Sequence, residues 1–572
     1  MRIVSLKLSQ FRGFDHLEVY PARHAVLVGE PRAGRTTILD ALKRVLDPTS
    51  TRQRPMLWDL RHPLAEPGPG EAYPLTWAEL AIVDLSDEIQ QELDDKLEML
   101  DPSTGDPSTD EDTAVFGVRL RYCLQYEPAD ESLEHWVEYS KSGLRVPRNH
   151  RELLGAIIIE RTPPLQLRVE GAFRALAMSQ DAPRINSTIE SFAEDVRAAT
   201  HTLAESEAVR SAVDAMTKSG ASRALQVEKD ALVEGVGFAA EDGSISGLLR
   251  ALQPTLDLDA GGALPLTSHG STAASVLGVT EALAASRMDH RIVIIDDFGD
   301  TLDSAAADFL ARVMSRPRNQ IWLSTRRPEA LGAFEPEEIL RLTRHSGQQV
   351  AHRLLPTLDR QERTTRRYLP QILSGAMSSR TLVLVEGPHD IEGYSAVDRK
   401  QLSDSGLVPL SGRSVQLVAA SATGGDGGKS RLATMARLAT SLGFEVRAIV
   451  DSDKPGEDDD LIAELEAVCS QVVLLPTRTA VERALVKGLK SEPLRQALRA
   501  LNDDYGLRLD VDALGDSDLE SALVKALKQK GGLHKAYVAA LPPGAIPPIV
   551  EDVLKSLRAE PGTIVRTEID NP

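Results

Sequence analysis

Thr381-Leu-Val-Leu-Val-Glu386-Gly387 and Arg447-Ala-Ile-Val-Asp451-Ser-Asp453 are two runs of one design. Each is an apolar, β-branched strand that ends by presenting carboxylates. A buried strand ending in Glu-Gly and a second ending in Asp-x-Asp gather acids at the carboxyl edge of a parallel sheet, where open α/β sheets place their sites. Asp451 and Asp453 are two residues apart, so in an extended strand they point to the same face. Acids gathered there repel one another unless a hard divalent cation neutralises them, and Mg²⁺ or Mn²⁺ prefers such oxygen ligands. The two runs outline a metal-dependent phosphoryl-transfer site.

Composition sets the outer limits. A chain of 572 residues corresponds to roughly three to four domains, and its 42% apolar residues are ample for packed cores. Sixty-five basic against 85 acidic residues give a net charge of −20, which argues against indiscriminate coating of nucleic acid but allows a local basic channel. Cys123 and Cys469 are too few for a disulfide framework or a zinc site of paired cysteines, so a reducing cytoplasm is the expected home. Met1-Arg-Ile-Val-Ser-Leu-Lys-Leu reads as a strand rather than a signal segment, and no stretch has the uninterrupted apolar length of a membrane span. No membrane association is expected.

The first part of the chain reads strand, turn, strand, glycine-containing loop, helix. His24-Ala-Val-Leu-Val-Gly29 is a short buried strand, and Thr36 to Leu46 has helical apolar spacing, with Leu39, Leu42 and Leu46 on one side. Residues 47–72 are Pro-rich and read as irregular. Strands are expected at Leu75 to Leu85, Ala114 to Gln125 and His135 to Tyr139. Between them, Ile89 to Leu100 reads as a charged amphipathic helix and Asp101 to Asp112 as a disordered acidic loop. From Ile189 to Val233 the pattern is uniformly helical and Ala-rich, a helical insertion of about 180–245 suited to dimerisation or packing.

A loop of small residues, Leu264-Pro-Leu-Thr-Ser268-His-Gly270-Ser-Thr-Ala-Ala-Ser275, then leads into a helix. The buried strand Arg291 to Asp297, a helix at Ser304 to Met314 and the strand Gln320 to Thr325 follow, and such alternation is an α/β sheet. Residues 356–380 carry a basic cluster and read as a connector. Between Glu386 and Asp451 there is room for two helical crossovers around a strand at Gln416 to Ala420, the second crossover being Leu432 to Leu442. A strand at Gln471 to Leu475 and a mostly helical tail complete the chain.

Gly29-Glu-Pro-Arg-Ala-Gly34-Arg35-Thr36-Thr37 fits G-x-x-x-x-G-K-[ST] in spacing, with Arg35 where lysine belongs. Backbone amides of such a loop and the following helix N-terminus cradle phosphates, while the first hydroxyl holds Mg²⁺. Arg keeps the charge but not the geometry. Ile292-Val-Ile-Ile-Asp296-Asp297 is the matching apolar strand, in which Asp296 would bind Mg²⁺ and Asp297 would polarise the attacking water. ATP is therefore the expected ligand of this half.

These residues resemble the ABC-type ATPase head of the RecF and SMC families, and especially that of the overcoming-lysogenisation-defect (OLD) family nucleases. Ile3-Val-Ser-Leu-Lys-Leu-Ser-Gln-Phe11-Arg12-Gly13-Phe14 is similar to the opening strand of those heads. The resemblance implies a signature loop that closes over nucleotide bound by another subunit; here Leu266-Thr267-Ser268-His269-Gly270-Ser271 is similar to it. Homodimers or homotetramers through the head are implied. Where the family has Ser-Thr-His, this chain has Ser324-Thr325-Arg326. Lysine to Arg35, glutamate to Asp297 and histidine to Arg326 make fast ATP hydrolysis doubtful and leave nucleotide binding as the expected role.

Glu386-Gly387 followed by Asp451-x-Asp453 resembles the Toprim domain shared by topoisomerases, primases, RecR-type proteins and OLD nucleases. In the order head then Toprim, the resemblance covers nearly the whole chain: an ABC-type head at 1–355, the connector at 356–380, and a Toprim parallel-sheet domain with a helical C-terminal extension at 381–572. The family includes the Gabija nuclease subunit, an antiphage member. Glu386 and Asp390 match its E-x-x-x-[DE] step, and Asp451 and Asp453 its D-x-D; these would share two Mg²⁺ or Mn²⁺ ions. Leu474-Leu-Pro-Thr-Arg-Thr-Ala-Val-Glu482 resembles a further element that offers Glu482 as ligand, and Lys535 stands where the family has a lysine that stabilises transition-state charge, with Lys528 and Lys530 as competitors. No tyrosine-bearing domain like that of topoisomerases is apparent, and the cysteine zinc site of RecR is missing.

Three other features attract weaker readings. Thr423-Gly-Gly-Asp-Gly-Gly-Lys429-Ser430 ends like a phosphate loop but lacks its first glycine; it reads as a flexible turn that places Lys429 near a nucleic acid backbone. His269 reads as simply hydrogen-bonded, and Glu457-Asp-Asp-Asp460 as a solvated helix start. The expected activity is nucleotide-regulated, metal-dependent cleavage of DNA, in antiphage defence or repair, with a helicase-like or other defence protein as possible partner. The competing expectation is a scaffold or sensor, in which a degenerate head oligomerises and recruits a partner. An SMC-type motor is disfavoured, since no long heptad coiled coil links the halves of the head.

Overall fold

The computed structural model describes residues 1–61, 73–127, 130–159, 164–167, 172–218, 228–235, 237–238, 244–257, 262–289, 291–316, 319–345, 347–420, 428–452, 456, 458–529, 532–560 and 565–570. Three large sheets organise the described residues. The first is antiparallel: β1 (Arg2–Phe11), β2 (Phe14–Val19), β4 (Thr76–Val83), β5 (Glu98–Leu100), β6 (Val115–Glu127) and β7 (Ser132–Tyr139), in the order β2-β1-β4-β6-β5 with β7 also on β6. Residues of β1 and β4 are shared between two cores: Leu6 and Leu8 lie beside Leu80 and Ala78 in register, while Val4, Ala81 and Val83 pack with Leu100 in a smaller cluster. Leu6, Leu8, Leu80 and Ala78 pack on Ile38, Leu39, Leu42 and Val45 of the helix Arg35–Leu46.

That helix is the direct continuation of the phosphate loop, and its opposite side meets the second sheet. This sheet contains β3 (Ala25–Gly29), β8 (Ile157–Ile159), β11 (Val293–Phe298), β12 (Ile321–Thr325), β13 (Ile339–His345) and β14 (Gln348–His352), ordered β14-β13-β3-β12-β11-β8. All its pairings are parallel except the β13–β14 hairpin. Strands buried on both faces read as unbroken apolar runs, which is why the chain places Ala-Val-Leu-Val and Val-Ile-Ile here. A two-stranded ribbon, β9 (Thr255–Leu256) and β10 (Leu264–Pro265), leads into the helix Ser271–Asp289.

The third sheet holds the two acid-tipped strands. It is wholly parallel: β15 (Thr381–Val385), β16 (Val415–Ala419), β17 (Glu445–Val450), β18 (Gln471–Leu474) and β19 (Arg566–Glu568), ordered β16-β15-β17-β18-β19. β15 shows why its run is apolar throughout: Leu382 and Leu384 enter one core while Val383 and Val385 enter another on the far face. The first of these cores is continuous with that of the second sheet through Leu369, Leu373, Ala376 and Met377. The connector residues form a packed helix, Arg360–Leu373, pinned where Arg366 meets Glu337 at 2.9 Å and Glu362 at 2.5 Å. The second and third sheets therefore share one hydrophobic interior.

Two expectations are corrected. Ile89 to Leu100 is not one amphipathic helix: the helix spans Asp87–Glu92, and Glu98–Leu100 is a strand paired with Phe116 and its neighbours. Pairing to β6 outweighs local helical spacing because it buries Leu100 completely. The segment from Asp101 to Asp112 is not disordered either. The Asp101 carboxylate accepts hydrogen bonds from Ser103 N and Thr104 N at 2.7 and 3.1 Å, and Leu100 bridges Pro107. Acidic composition here is turn chemistry, not solvation. The tail is mostly helical, as its sequence reads, and closes with β19, the edge strand of the third sheet. The helical insertion takes the form of helices Ala172–Glu205, interrupted at Asp181, Glu207–Lys218 and Lys229–Gly235.

Candidate functional site

The phosphate-type loop joins β3 to the helix Arg35–Leu46. Gly29 has φ +129°, and a Cβ there would sit 2.0 Å from the carbonyl oxygen of Leu342 on the neighbouring strand. Gly34 has φ +97° and its Cβ would meet the Phe14 ring at 2.6 Å. Only glycine satisfies both, which explains the two fixed points of the motif. Thr36 Oγ1 donates to Asp296 Oδ1 at 3.4 Å, so the first hydroxyl of the helix and the acid at the end of the apolar strand face one position. Ser324 Oγ donates to the same Asp296 oxygen at 2.5 Å and accepts from Asp297 N at 2.8 Å. This cradle and its hydroxyl–carboxylate pair fit a Mg²⁺-bound nucleotide.

The departures from the lysine-bearing loop are visible in space. Arg35 Nη1 donates to the carbonyl of Thr325 at 3.1 Å, on the strand adjoining β3, instead of standing free over the loop. Burial, then the nearby Arg326, lowers the Arg35 pKa, while Asp297, Asp296 and Asp300 act the other way. Arg35, Arg326, Asp296 and Asp297 are thus one electrostatic cluster. Asp297 has φ +48°, at a register shift between β11 and β12. Thr37 follows on the partly buried side of the helix. The small-residue loop is elsewhere: Ser268 and Gly270 are solvent-exposed, and His269 Nε2 lies 2.9 Å from the Leu256 carbonyl, as a plain hydrogen-bonded histidine. The helix it opens meets the loop after β11, where Thr272 Oγ1 donates to Thr301 O at 3.1 Å.

The acid edge is built at a break in strand order. Numbered along the third sheet, β15 to β19 run 2-1-3-4-5, and the order reverses between β15 and β17. Crossovers leave these strands in opposite directions, opening a crevice at their carboxyl ends. Glu386 follows β15 and Asp451 follows β17, one at each lip. Gly428 is pressed against Glu386: a Cβ there would be 2.3 Å from the Glu386 carbonyl oxygen. Asp390 lies in the first turn of the helix Pro388–Ser405 and accepts from Gly387 N at 2.8 Å. Glu482 lies in the first turn of Val481–Val486.

Tyr394 lies in the field of three of these acids. Its ring is completely buried, and its pKa is raised well above that of a free phenol by burial first, then by Asp451, Asp390 and Glu482. Asp451, Asp390 and Glu482, on three separate elements, all bear on this one buried phenol, and carboxylates are the oxygen donors that Mg²⁺ or Mn²⁺ prefers. Ser452 N donates to Thr479 O at 3.3 Å and ties the loop after β17 to the one after β18, which carries Glu482 inward. Asp453, Glu457, Lys530 and the glycine-rich stretch at 421–427 lie outside the described residues. Asp459 and Asp460 begin a helix, Asp459–Glu466, in line with the sequence reading of the acidic run.

Two lysines deserve separate placement. Lys429 bonds the carbonyl of Asp451 at 3.0 Å and the carboxylate of Asp458 at 2.6 Å; it is a brace behind the acid edge, not a side chain reaching out for a nucleic acid backbone. Lys535 is exposed, and its backbone N–H donates to Glu392 at 3.2 Å. Asp390, Asp451 and Glu482 all act electrostatically on Tyr394, and Glu386 ends the strand that pairs with the one ending at Asp451. Sequence reasoning missed Tyr394 and Lys429's bracing role, because neither carries a spacing signal.

No family model matches this chain, and no curated protein matches it. Among solved structures it is similar to an SMC head bound to the C-winged helix domain of ScpA, with 13% identity, a TM-score of 0.35, and coverage of 63% of this chain and 99% of that one. It is also similar to the SMC head domain from Thermotoga maritima (11% identity, TM-score 0.30, 62% and 100% covered). A third is an SMC head with a coiled coil and joint from Pyrococcus yayanosii (10% identity, TM-score 0.32, 62% and 97% covered). Among the described residues, no helix is long and apolar enough to cross a membrane.

Proposed function

We propose that this chain is a nucleotide-regulated, divalent-metal-dependent DNA endonuclease of the OLD type, with an ATPase-like head and a Toprim-like nuclease unit. The observation that carries the reading is the placement of Glu386 and Asp451 at the strand-order reversal of a parallel sheet, with Asp390 and Glu482 acting on the same buried Tyr394 as Asp451. Glu386, Asp390, Asp451, Asp453 and Glu482 would hold the metals. Bound Mg²⁺ or Mn²⁺ would activate a water and stabilise the departing 3′ oxygen of a phosphodiester. Tyr394 is wholly buried within the field of these acids, and Lys429 braces Asp451 through its backbone carbonyl.

The head supplies control rather than power in this reading. Arg35 is committed to Thr325 O, and Asp297 is one methylene shorter than the glutamate of active heads, so nucleotide binding outlasts hydrolysis. The exposed Ser268–Gly270 loop suits closure over nucleotide in a second copy, giving a homodimer or homotetramer. Antiphage defence or DNA repair, with a helicase-like or other partner protein, is the setting the resemblance suggests.

Incubation with supercoiled plasmid and Mn²⁺ or Mg²⁺, with and without ATP, tests the nuclease. Nicking is expected; its absence under every condition sinks the reading. ATP turnover measured alongside should be slight, and brisk turnover abolished by Arg35→Ala would refute the sensor role of the head.

A further inference from the structure

On the outer side of the helix that carries Asp390, His389 and Glu392 stand three residues apart, one turn above the other on a single face. Facing them is His534, the second residue of the helix Leu533–Ala540. The two imidazole rings stack with centroids 5.0 Å apart and planes 27° from parallel. The ligand-capable atoms of His389, Glu392 and His534 all lie within 4.8 Å of one another, and His534 Nδ1 is 3.8 Å from Glu392 Oε2.

His534 supplies the observation that singles out this cluster. Its side chain is 0% exposed, yet neither ring nitrogen has a hydrogen-bond partner. A buried imidazole left with two unsatisfied nitrogens is costly, and native interiors rarely tolerate it. We propose that His389, Glu392 and His534 form a transition-metal site that takes Zn²⁺, separate from the acid edge. Two imidazoles and one carboxylate are the donor set of a three-ligand zinc centre, whereas the all-oxygen edge suits Mg²⁺ or Mn²⁺.

The geometry suits a site that contracts on binding. Zn–N and Zn–O bonds of about 2.0–2.2 Å place ligand atoms roughly 3.3–3.5 Å apart, inside the 4.8 Å within which these atoms now lie and a little under the 3.8 Å between His534 Nδ1 and Glu392 Oε2. His389 is exposed, with its ring stacked on His534, which is fixed in the interior. Lys535 N donates to Glu392 Oε1 at 3.2 Å, leaving Oε2 as the oxygen turned toward His534. Such a contact outside the ligand shell orients a coordinating carboxylate. Asp390, one residue from His389, sends its carboxylate back to Gly387 N instead, so the two donor sets leave the same helical turn in different directions. A metal here clamps the helix after β15 to the C-terminal helices.

The test uses the full chain stripped with chelator and titrated with Co²⁺, a visible stand-in for Zn²⁺, then challenged with Zn²⁺. One equivalent of Co²⁺ should develop the visible absorption of a low-coordinate nitrogen-and-oxygen site, and Zn²⁺ should displace it and raise the unfolding midpoint. His389→Ala, at an exposed position, and Glu392→Gln should each weaken Co²⁺ binding on the order of tenfold or more, while Asp451→Asn leaves it unchanged. Absence of the band in the wild-type chain, or a band equal in His389→Ala, overturns the proposal. So does loss of the band in Asp451→Asn, which would assign the ion to the acid edge.

Discussion

Arg341 Nη2 stands 3.8 Å from Glu30 Oε1 and is 0% exposed, so the residue after the first glycine of the phosphate-type loop is paired with a wholly buried guanidinium. The same guanidinium donates to Met377 O at 3.2 Å, Leu442 O at 2.9 Å and Ser379 O at 2.6 Å, and lies 3.5 Å from the centroid of the Phe444 ring. Met377 and Ser379 lead into β15; Leu442 and Phe444 lead into β17. One side chain therefore joins the loop to the roots of both acid-tipped strands. Burial lowers its pKa to about 10, with Glu30 acting against the shift, so it remains charged at neutral pH.

Replacing Arg341 strands three carbonyls and one carboxylate. Arg341→Met should destabilise the chain by about 2–5 kcal/mol, since removing one partner of a buried charged network leaves the others unsatisfied. Arg341→Lys should recover only part, because an ammonium cannot reproduce the fork. Denaturant unfolding of the two variants beside the wild type checks both values.

Gly29→Ala places a methyl against backbone, 2.0 Å from Leu342 O, at a φ of +129°. The strand carrying Leu342 cannot yield without breaking β3–β13 pairing, so the loop must move. Backbone strain of this kind costs about 1–3 kcal/mol. Binding of a fluorescent ATP analogue should weaken by about tenfold or more, since 1.4 kcal/mol corresponds to a factor of ten.

His24 gives the pH prediction. Its ring is buried against Phe334, its Nδ1 accepts from Ile321 N at 3.1 Å, and burial first, then Arg23, lowers its pKa to about 4 from the usual 6.5. The unfolded chain takes up the proton first as pH falls, so this contribution is whole above pH about 6.5 and is lost as pH drops toward about 4. The loss reaches about 3 kcal/mol between those two values. In His24→Asn, whose Oδ1 replaces Nδ1 as acceptor, the unfolding midpoint should fall less between pH 7 and pH 4.5 than in the wild type.

Long apolar runs ending in acid or glycine were legible because strands buried on both faces leave no polar alternation: β3, β11, β15 and β17 all lie where that pattern puts them. The phosphate-type loop was legible because two glycines at fixed spacing answer two steric demands. Short edge strands were not. Ile157–Ile159 is three residues long, and Arg566-Thr-Glu568 has no apolar residue; both exist only through the neighbour they pair with. Ordered acidic turns were also hidden, since the Asp101 side chain that folds the segment looks like solvation in sequence. His389 and His534 are 145 residues apart and Arg341 lies 101 from Leu442, so no local window joins either pair.

The acid edge carries the central claim, and single-turnover cleavage of plasmid DNA tests it most directly. With Mn²⁺ present, the wild-type chain should nick supercoiled plasmid, and Asp451→Asn and Glu386→Gln, both folded by circular dichroism, should each lose on the order of a hundredfold or more in rate, as expected when a group that stabilises transition-state charge is removed. Equal rates in the wild type and both variants would contradict the account.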